Sequence, residues 1–227
     1  MISMLAMTAA LGIGVPMVLD PGNPPTIAYW ARHPLHTIAG VSHLAEGSAQ
    51  VMSDGSSEVQ VRVPLDSFAS GRSSADRSLL ETFNGLAFPT VEVKAIVPPH
   101  PRPALSPDGT GIEDVAAHFL VTLHGVSQRM NGRVWIFYQF DSTISVSGDV
   151  AFDLNDFGLQ APTFLFLAIN HIIPVHFDLS WRAQPGILPP LATLNGSAWL
   201  KPEAIPRPEG QAPVPNIDHI EFLAPTK

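Results

Sequence analysis

The sequence contains no cysteine, which excludes disulfide bonds, thiolate nucleophiles and zinc sites built from cysteine. It also has no Gly-x-Ser-x-Gly nucleophile motif and no glycine-rich phosphate loop between a strand and a helix. Serine, histidine and aspartate are plentiful, so chance triads along the sequence carry no information about catalysis. We therefore predict a protein that is not an enzyme and that needs no cofactor.

Charge is also scarce. Charged residues make up 14% of the 227 residues, and the formal net charge is −8. Nucleic acids and anionic lipid surfaces are bound through basic patches, so this composition argues against both partners. Apolar residues make up 45%, which is enough to bury a sizeable core in one large β domain or two small ones.

The N-terminal residues 2–18 are almost wholly apolar but contain Gly12, Gly14 and Pro16. This run is short for a membrane span. It is similar to the apolar part of a secretory signal, although no Lys or Arg precedes it and no small-x-small cleavage site follows it. Two interpretations stay open, an export signal and a loosely packed leader.

Alternating apolar and polar residues dominate the middle of the chain, which is typical of half-buried β-strands. Eight segments show this pattern or a weaker form of it: residues 28–40, 47–53, 58–65, 91–97, 115–123, 134–140, 144–154 and 164–181. Eight antiparallel strands can close into a barrel, which removes exposed edges. We predict an all-β fold with an eight-stranded antiparallel barrel over residues 26–182. An apolar leader and linker (1–25) precede it, and a proline-rich tail (183–227) follows it.

One short helix interrupts this all-β pattern, near residues 75–84. Ser73 or Ser74 is expected to cap its first free N–H groups, and Asp76 lies where the helix dipole favours an anion. Gly85 is expected to end the helix with a positive φ.

Several short motifs occur in the order and spacing of one protein family. They are VPLDSFASG (63–71), DRSLL (76–80), AFPTVEVKA (87–95), VTLHGVS (121–127) and DFGL (156–159). With these motifs the chain resembles the YceI-like proteins, a polyisoprenoid-binding, lipocalin-like family, over about residues 58–181. The resemblance implies a lipocalin-like barrel, periplasmic or secreted, that binds or carries an isoprenoid-like lipid. The proline-rich tail has no counterpart in that family.

The alternation also indicates which residues face the barrel interior. We expect an apolar ligand to contact Val61, Val63, Val93, Phe119, Val121, Ile136, Tyr138, Phe152 and Phe177, with Arg72 at the mouth. The same apolar residues could instead fill a solid barrel. The protein would then be a non-catalytic structural or interaction module with a partner-binding tail. Trp135 and Phe137 face outward, so the tail or a second copy of the chain, in a homodimer, would cover them.

The remaining polar candidates are weaker. Arg72, Asp76 and Arg77 form either a cap and surface ion pair or, through one of the arginines, a contact to a ligand headgroup. His33 and His36 would point to opposite faces of a regular strand, and Pro34 could bring them together. Histidines on polar faces or in loops are the default interpretation, so we predict no metal site.

Overall fold

The fold is built almost entirely from antiparallel β-strands. A computed structural model describes residues 14–101, 104–107, 109–139, 143–164 and 167–184. In chain order these residues form β1 (Val15–Leu19), β2 (Thr26–His33), β3 (His36–Ser42), β4 (Glu46–Val51), β5 (Ser57–Pro64), α1 (Ser73–Thr82), β6 (Thr90–Val97), β7 (Gly111–Leu123), β8 (Val126–Tyr138), β9 (Ile144–Asp153), β10 (Thr163–Phe164), β11 (Leu167–Ala168) and β12 (Ile172–Ala183). Short 3-10 turns occupy Leu65–Ser67 and Leu154–Phe157. In this part of the chain no helix is long and apolar enough to cross a membrane.

Eight of these strands close into a barrel in the order β1-β4-β5-β6-β7-β8-β9-β12. The ring is closed by β1, which pairs with β4 on one side and with β12 on the other. The β2–β3 hairpin is added to the same sheet, because β2 pairs with β12 over residues 175–178. The predicted all-β, eight-stranded antiparallel barrel with one short helix is confirmed.

The first strand of the barrel lies inside the segment interpreted as leader and linker. The prediction that strands begin at Thr26 is wrong, because β1 starts at Val15 and its Met17 is buried against Trp181 and other core residues. An apolar run without alternation gave no sign of a strand. Residues 1–13 and 185–227 lie outside the described residues, so the export signal and the proline-rich tail stay predictions.

The segment 28–40, interpreted as one strand, is a hairpin. Pro34 and Leu35 form its turn, and His33 pairs directly with His36 across it. Both histidine rings therefore lie at one end of the barrel, with their centroids 4.9 Å apart. The two side chains do not point to opposite faces, because a tight turn, rather than a regular strand, separates His33 from His36.

The helix α1 begins without the expected serine cap. Its N-cap residue is Arg72, which makes no side-chain cap hydrogen bond, and Ser73 is already helical. Asp76 instead accepts hydrogen bonds from the backbone N–H and the hydroxyl of Ser70, at 2.9 and 2.6 Å. The carboxylate of the first helical turn thus fixes the loop that leads into the helix.

The left-handed residue that follows the end of α1 is Asn84, which has φ 48°. The prediction that Gly85 would have the positive φ is therefore wrong. The N–H of Gly85 donates to the carbonyl of Leu80, and the N–H of Asn84 donates to the carbonyl of Glu81. This is the hydrogen-bond pattern of a Schellman motif, in which the residue before the final donor is left-handed. Asparagine tolerates that conformation better than most residues.

Replacing Asn84 tests this helix end. Asn84→Val should lower the free energy of unfolding by roughly 1–2 kcal/mol, because a branched side chain disfavours positive φ. Asn84→Gly should be neutral or stabilising, as measured by urea denaturation. Gly85→Ala serves as the control, because the nearest atom to its new Cβ is the mobile Cδ2 of Leu80 at 3.0 Å. Equal stability of Asn84→Val and wild type would contradict this assignment.

His176 on β12 lies between two carboxylates and is only 3% exposed. Its Nδ1 is 2.8 Å from Asp149 on β9, and its Nε2 is 3.0 Å from Asp178 on β12. Burial by itself lowers the pKa of His176, but the hydrogen bonds and charges of Asp178 and Asp149 outweigh it and raise the pKa above its usual 6.5. The folded protein therefore binds the proton of His176 more tightly than the unfolded chain does.

This arrangement predicts a pH-dependent contribution to stability. A histidine with a raised pKa stabilises the folded protein fully below its unfolded-state pKa of about 6.5. This stabilisation is lost as the pH rises through the folded-state pKa. The difference in Tm between wild type and His176→Gln should therefore shrink from pH 6 to pH 9. His118→Gln, at an exposed β7 histidine that contacts Asn131, is the control. A difference that grows with pH would show that the ring is neutral in the folded protein.

Candidate functional site: an apolar cavity inside the barrel

The barrel encloses a cavity of about 550 Å³, lined by inward residues of its strands and by one side of α1. All ten residues that the sequence indicated as ligand contacts line it: Val61, Val63, Arg72, Val93, Phe119, Val121, Ile136, Tyr138, Phe152 and Phe177. The structure thus brings the whole set together around one space. Their contact with a ligand stays a prediction.

Trp135 and Phe137 do not line the cavity and are half-buried. They alternate with Val134, Ile136 and Tyr138, which do line it, so they lie on the outer face of β8. Phe140, the last residue of the predicted strand 134–140, lies outside the described residues. Cover of the outer face by a second copy of the chain stays a prediction.

The interior is open because aromatic rings lie against glycines instead of filling the space. Four inward-facing glycines each lie beneath a ring: Gly40 under Tyr29, Gly47 under Trp181, Gly132 under Phe119 and Gly148 under Phe177. A Cβ on Gly148 would come within 2.5 Å of Cζ of Phe177. Each ring therefore lies closer to the backbone than it could if the glycine carried a side chain.

The wall of the cavity carries little charge. Among its described lining residues there is no Asp, Glu or Lys, and Arg72 is the single arginine. Polar groups gather at the two ends. At the helix end, beside α1 and the β2–β3 turn, they are His33, His36, Arg72, Ser74, Ser78 and Thr82. At the far end, where β5 begins and β8 ends, they are Ser57 and Tyr138.

A buried acidic group lies behind the far end, outside the set of residues that line the cavity. The hydroxyl of Tyr138 donates to the carboxyl group of Glu113, whose side chain is 8% exposed. Nε2 of His100 lies 3.2 Å from the same carboxyl oxygen. Tyr138 and Arg72 were both expected to contact a ligand, and the structure places them at opposite ends of the cavity. Sequence reasoning missed Glu113, although it continues the inward alternation of β7 by one step beyond Val115.

The helix end carries the basic groups. Nδ1 of His33 accepts a hydrogen bond from the N–H of Leu35 at 3.2 Å, which leaves Nε2–H as the ring's donor. Burial, followed by the charges of His33 and Arg72, lowers the pKa of His36. Arg77, the other arginine considered for a headgroup, is exposed and does not line the cavity.

Tyr29 lies beside this end with its ring buried against Gly40. Burial, and to a lesser extent the charge of Asp76, raises the pKa of its hydroxyl to about 12. Tyr29 is therefore neutral at physiological pH. It adds a polar but uncharged group to the wall.

No group of three or more His, Cys, Asp or Glu in the described part of the chain is arranged to hold a metal ion. Two further histidines, His171 and His176, have separate partners. Nδ1 of His171 lies 2.9 Å from Asp153, whereas His176 lies between Asp149 and Asp178.

A closed antiparallel barrel around an apolar cavity defines a lipocalin-like class of protein. The chain belongs to the YceI-like domain family, whose model matches residues 19–181. No curated protein matches its sequence.

Two solved structures share the fold. One is a polyisoprenoid-binding domain from Saccharophagus degradans, implicated in plant cell wall breakdown. It is 17% identical, has a TM-score of 0.61, and the match covers 75% of this chain and 99% of that one. The other is BcnA of Burkholderia cenocepacia, which is 11% identical with a TM-score of 0.54. That match covers 71% of this chain and 98% of BcnA.

The packing of Phe177 on Gly148 can be tested by a double-mutant cycle. Gly148→Ala should destabilise the protein by about 1–3 kcal/mol, because the added Cβ forces the ring from its position. In a Phe177→Ala background the same change should cost much less. Gly132→Ala is the milder control, since its Cβ would lie 3.1 Å from Phe119. Equal costs in both backgrounds would show that the ring does not pack on this glycine.

Proposed function

We propose that the protein binds an elongated apolar lipid of isoprenoid type inside the barrel. The observation that carries this proposal is the cavity of about 550 Å³, with no carboxylate or lysine among its described lining residues. Its size falls in the range of small-molecule sites, and its wall suits hydrocarbon rather than sugar or nucleotide. Membership of the YceI-like family and the fold shared with a polyisoprenoid-binding domain support the same ligand class.

The energetics favour a ligand of several isoprenoid units. A buried methylene contributes about 0.8 kcal/mol, so a five-carbon unit contributes roughly 4 kcal/mol when fully buried. Association costs an estimated 4–15 kcal/mol in lost translational and rotational freedom. One unit therefore barely offsets that cost, and stable binding requires two or more. Affinity should rise with each added unit until the chain fills the cavity.

The alternative function, a module with a filled barrel and a partner-binding tail, is less well supported. It requires side chains to occupy the interior, whereas the glycine–aromatic pairs keep that interior open. The tail lies outside the described residues and adds nothing to the choice between the two functions. Absence of catalysis also remains a prediction.

We also propose that the protein acts in the periplasm or after secretion. The apolar run at residues 2–18 supports an export signal. Such a signal would have to end before Val15, because β1 closes the barrel through its pairing with β4 and β12.

Filling the cavity should abolish lipid binding. Native mass spectrometry of the wild-type protein with prenyl alcohols of increasing length should show one bound ligand per chain. The double variant Val121→Trp with Ile136→Trp should show none, because both residues line the cavity.

Ile96→Trp is the matched control, since Ile96 is 53% exposed and does not line the cavity. It should bind as wild type does, and circular dichroism should report a β-rich fold for both proteins. A wild-type protein that retains no prenyl alcohol of any length would overturn the proposal.

A further inference from the structure

The far end of the barrel carries an apolar patch on its outer surface. Trp135 and Phe137 of β8 are half-buried and lie on the face of the strand opposite to the cavity. Ile112 of β7 pairs with Phe137, lies on the same face and is also half-buried. We name these three residues the outer aromatic patch. Contiguous apolar side chains on an outer surface are typical of an interaction site.

The register of the sheet places this patch near Gln184, the last residue that the structure describes. Phe137 pairs with Ser145 on β9, and Ser145 pairs with Ser180 on β12. Neighbouring strands lie about 4.8 Å apart and a strand advances about 3.3 Å per residue, so roughly 16 Å separate Phe137 from Gln184. About five extended residues span that distance. The residues that follow Gln184 are therefore long enough to reach the patch.

Residues 185–200 have the composition of a segment that binds aromatic surfaces. Their sequence is PGILPPLATLNGSAWL, which contains no charged residue. Proline-rich segments favour the polyproline II conformation, and such preformed segments dock on aromatic-lined surfaces at a low cost in entropy. The pair Pro185-Gly186 is typical of a β-turn, which would direct the chain back along the barrel toward the patch.

We propose that residues 187–194 dock on the outer aromatic patch of their own chain. A tethered segment meets the patch at an effective concentration on the order of 1 mM, far above that of a second copy in a micromolar solution. Weak apolar contacts therefore suffice for the tail, whereas a stable dimer needs an interface of about 1,000 Å² or more. The proposal concerns the outer surface of the barrel, so it does not depend on lipid binding inside it.

Disulfide trapping in the full chain tests this proposal, because the sequence contains no cysteine. Asp114 is exposed and pairs with Trp135, so Asp114→Cys places a thiol beside the patch. This change would be combined in turn with Ile187→Cys, Leu191→Cys or Leu194→Cys, and each variant oxidised with glutathione disulfide at micromolar protein. A disulfide needs Cα atoms within about 7 Å of each other, so only a docked tail residue should react rapidly.

Leu120→Cys is the matched control. Leu120 lies on the same face of β7 as Asp114, about 20 Å farther along the strand, and does not line the cavity. At least one tail position should form an intramolecular disulfide with residue 114 about tenfold faster than with residue 120, as measured on non-reducing gels. Adding Trp135→Ser and Phe137→Ser should remove this difference.

Circular dichroism would first establish that each variant keeps a β-rich fold, and Ile112→Cys replaces Asp114→Cys if the latter does not. Equal rates at residues 114 and 120 for all three tail positions would overturn the proposal. Disulfides between chains, at a rate that rises with protein concentration, would overturn it in favour of a second copy on the patch. A difference that persists without both aromatic side chains would also contradict it, because the tail would then be held elsewhere.

Discussion

The open interior of the barrel depends on close packing between inward-facing glycines and aromatic rings. Eight-stranded barrels are narrow enough for side chains to fill them. Here the rings of Tyr29 and Phe177 lie on Gly40 and Gly148, so their bulk forms the wall rather than a plug. A side chain at either glycine would force the ring from its position, because its Cβ would lie within 2.5 Å of a ring atom. The shape of the cavity thus depends on the missing side chains at these glycines as well as on the apolar residues around it.

Much of the fold follows from sequence because the two-residue period of β5, β6, β7 and β9 is clear, whereas β8 is apolar on both faces around Trp135 and Phe137. The parts that sequence missed share a physical cause. Val15–Leu19 lies within a continuous apolar run, so it shows no alternation and its pairing with β4 and β12 depends on distant partners. At the end of α1, Asn84 and Gly85 can each adopt positive φ, and the choice depends on which residue ends the helix. Local patterns do not contain that information.

The candidate site, like the fold, could be predicted only in part from the sequence. Alternation identified the inward apolar residues, because facing within a strand is a local property. It could not decide between a hollow and a filled barrel, because that requires the register between strands. Gly148 shares the alternation of Val146 and Val150, but only the pairing of β9 with β12 places it opposite Phe177 and shows that a ring lies against it. The histidine pair is a related case, since the sequence left two arrangements open and the turn at Pro34 and Leu35 brings His33 and His36 together.

The cavity combines a uniform apolar wall with two chemically different ends. Hydrophobic burial is proportional to area and has no direction, so the wall stabilises a lipid tail equally well in either orientation. Any preferred orientation would have to come from the polar groups at the two ends. Arg72 and the histidine pair lie at one end, and the carboxyl group of Glu113 lies at the other. The strands therefore supply the apolar surface of the cavity, and the chemical difference between its two ends comes from a few polar residues.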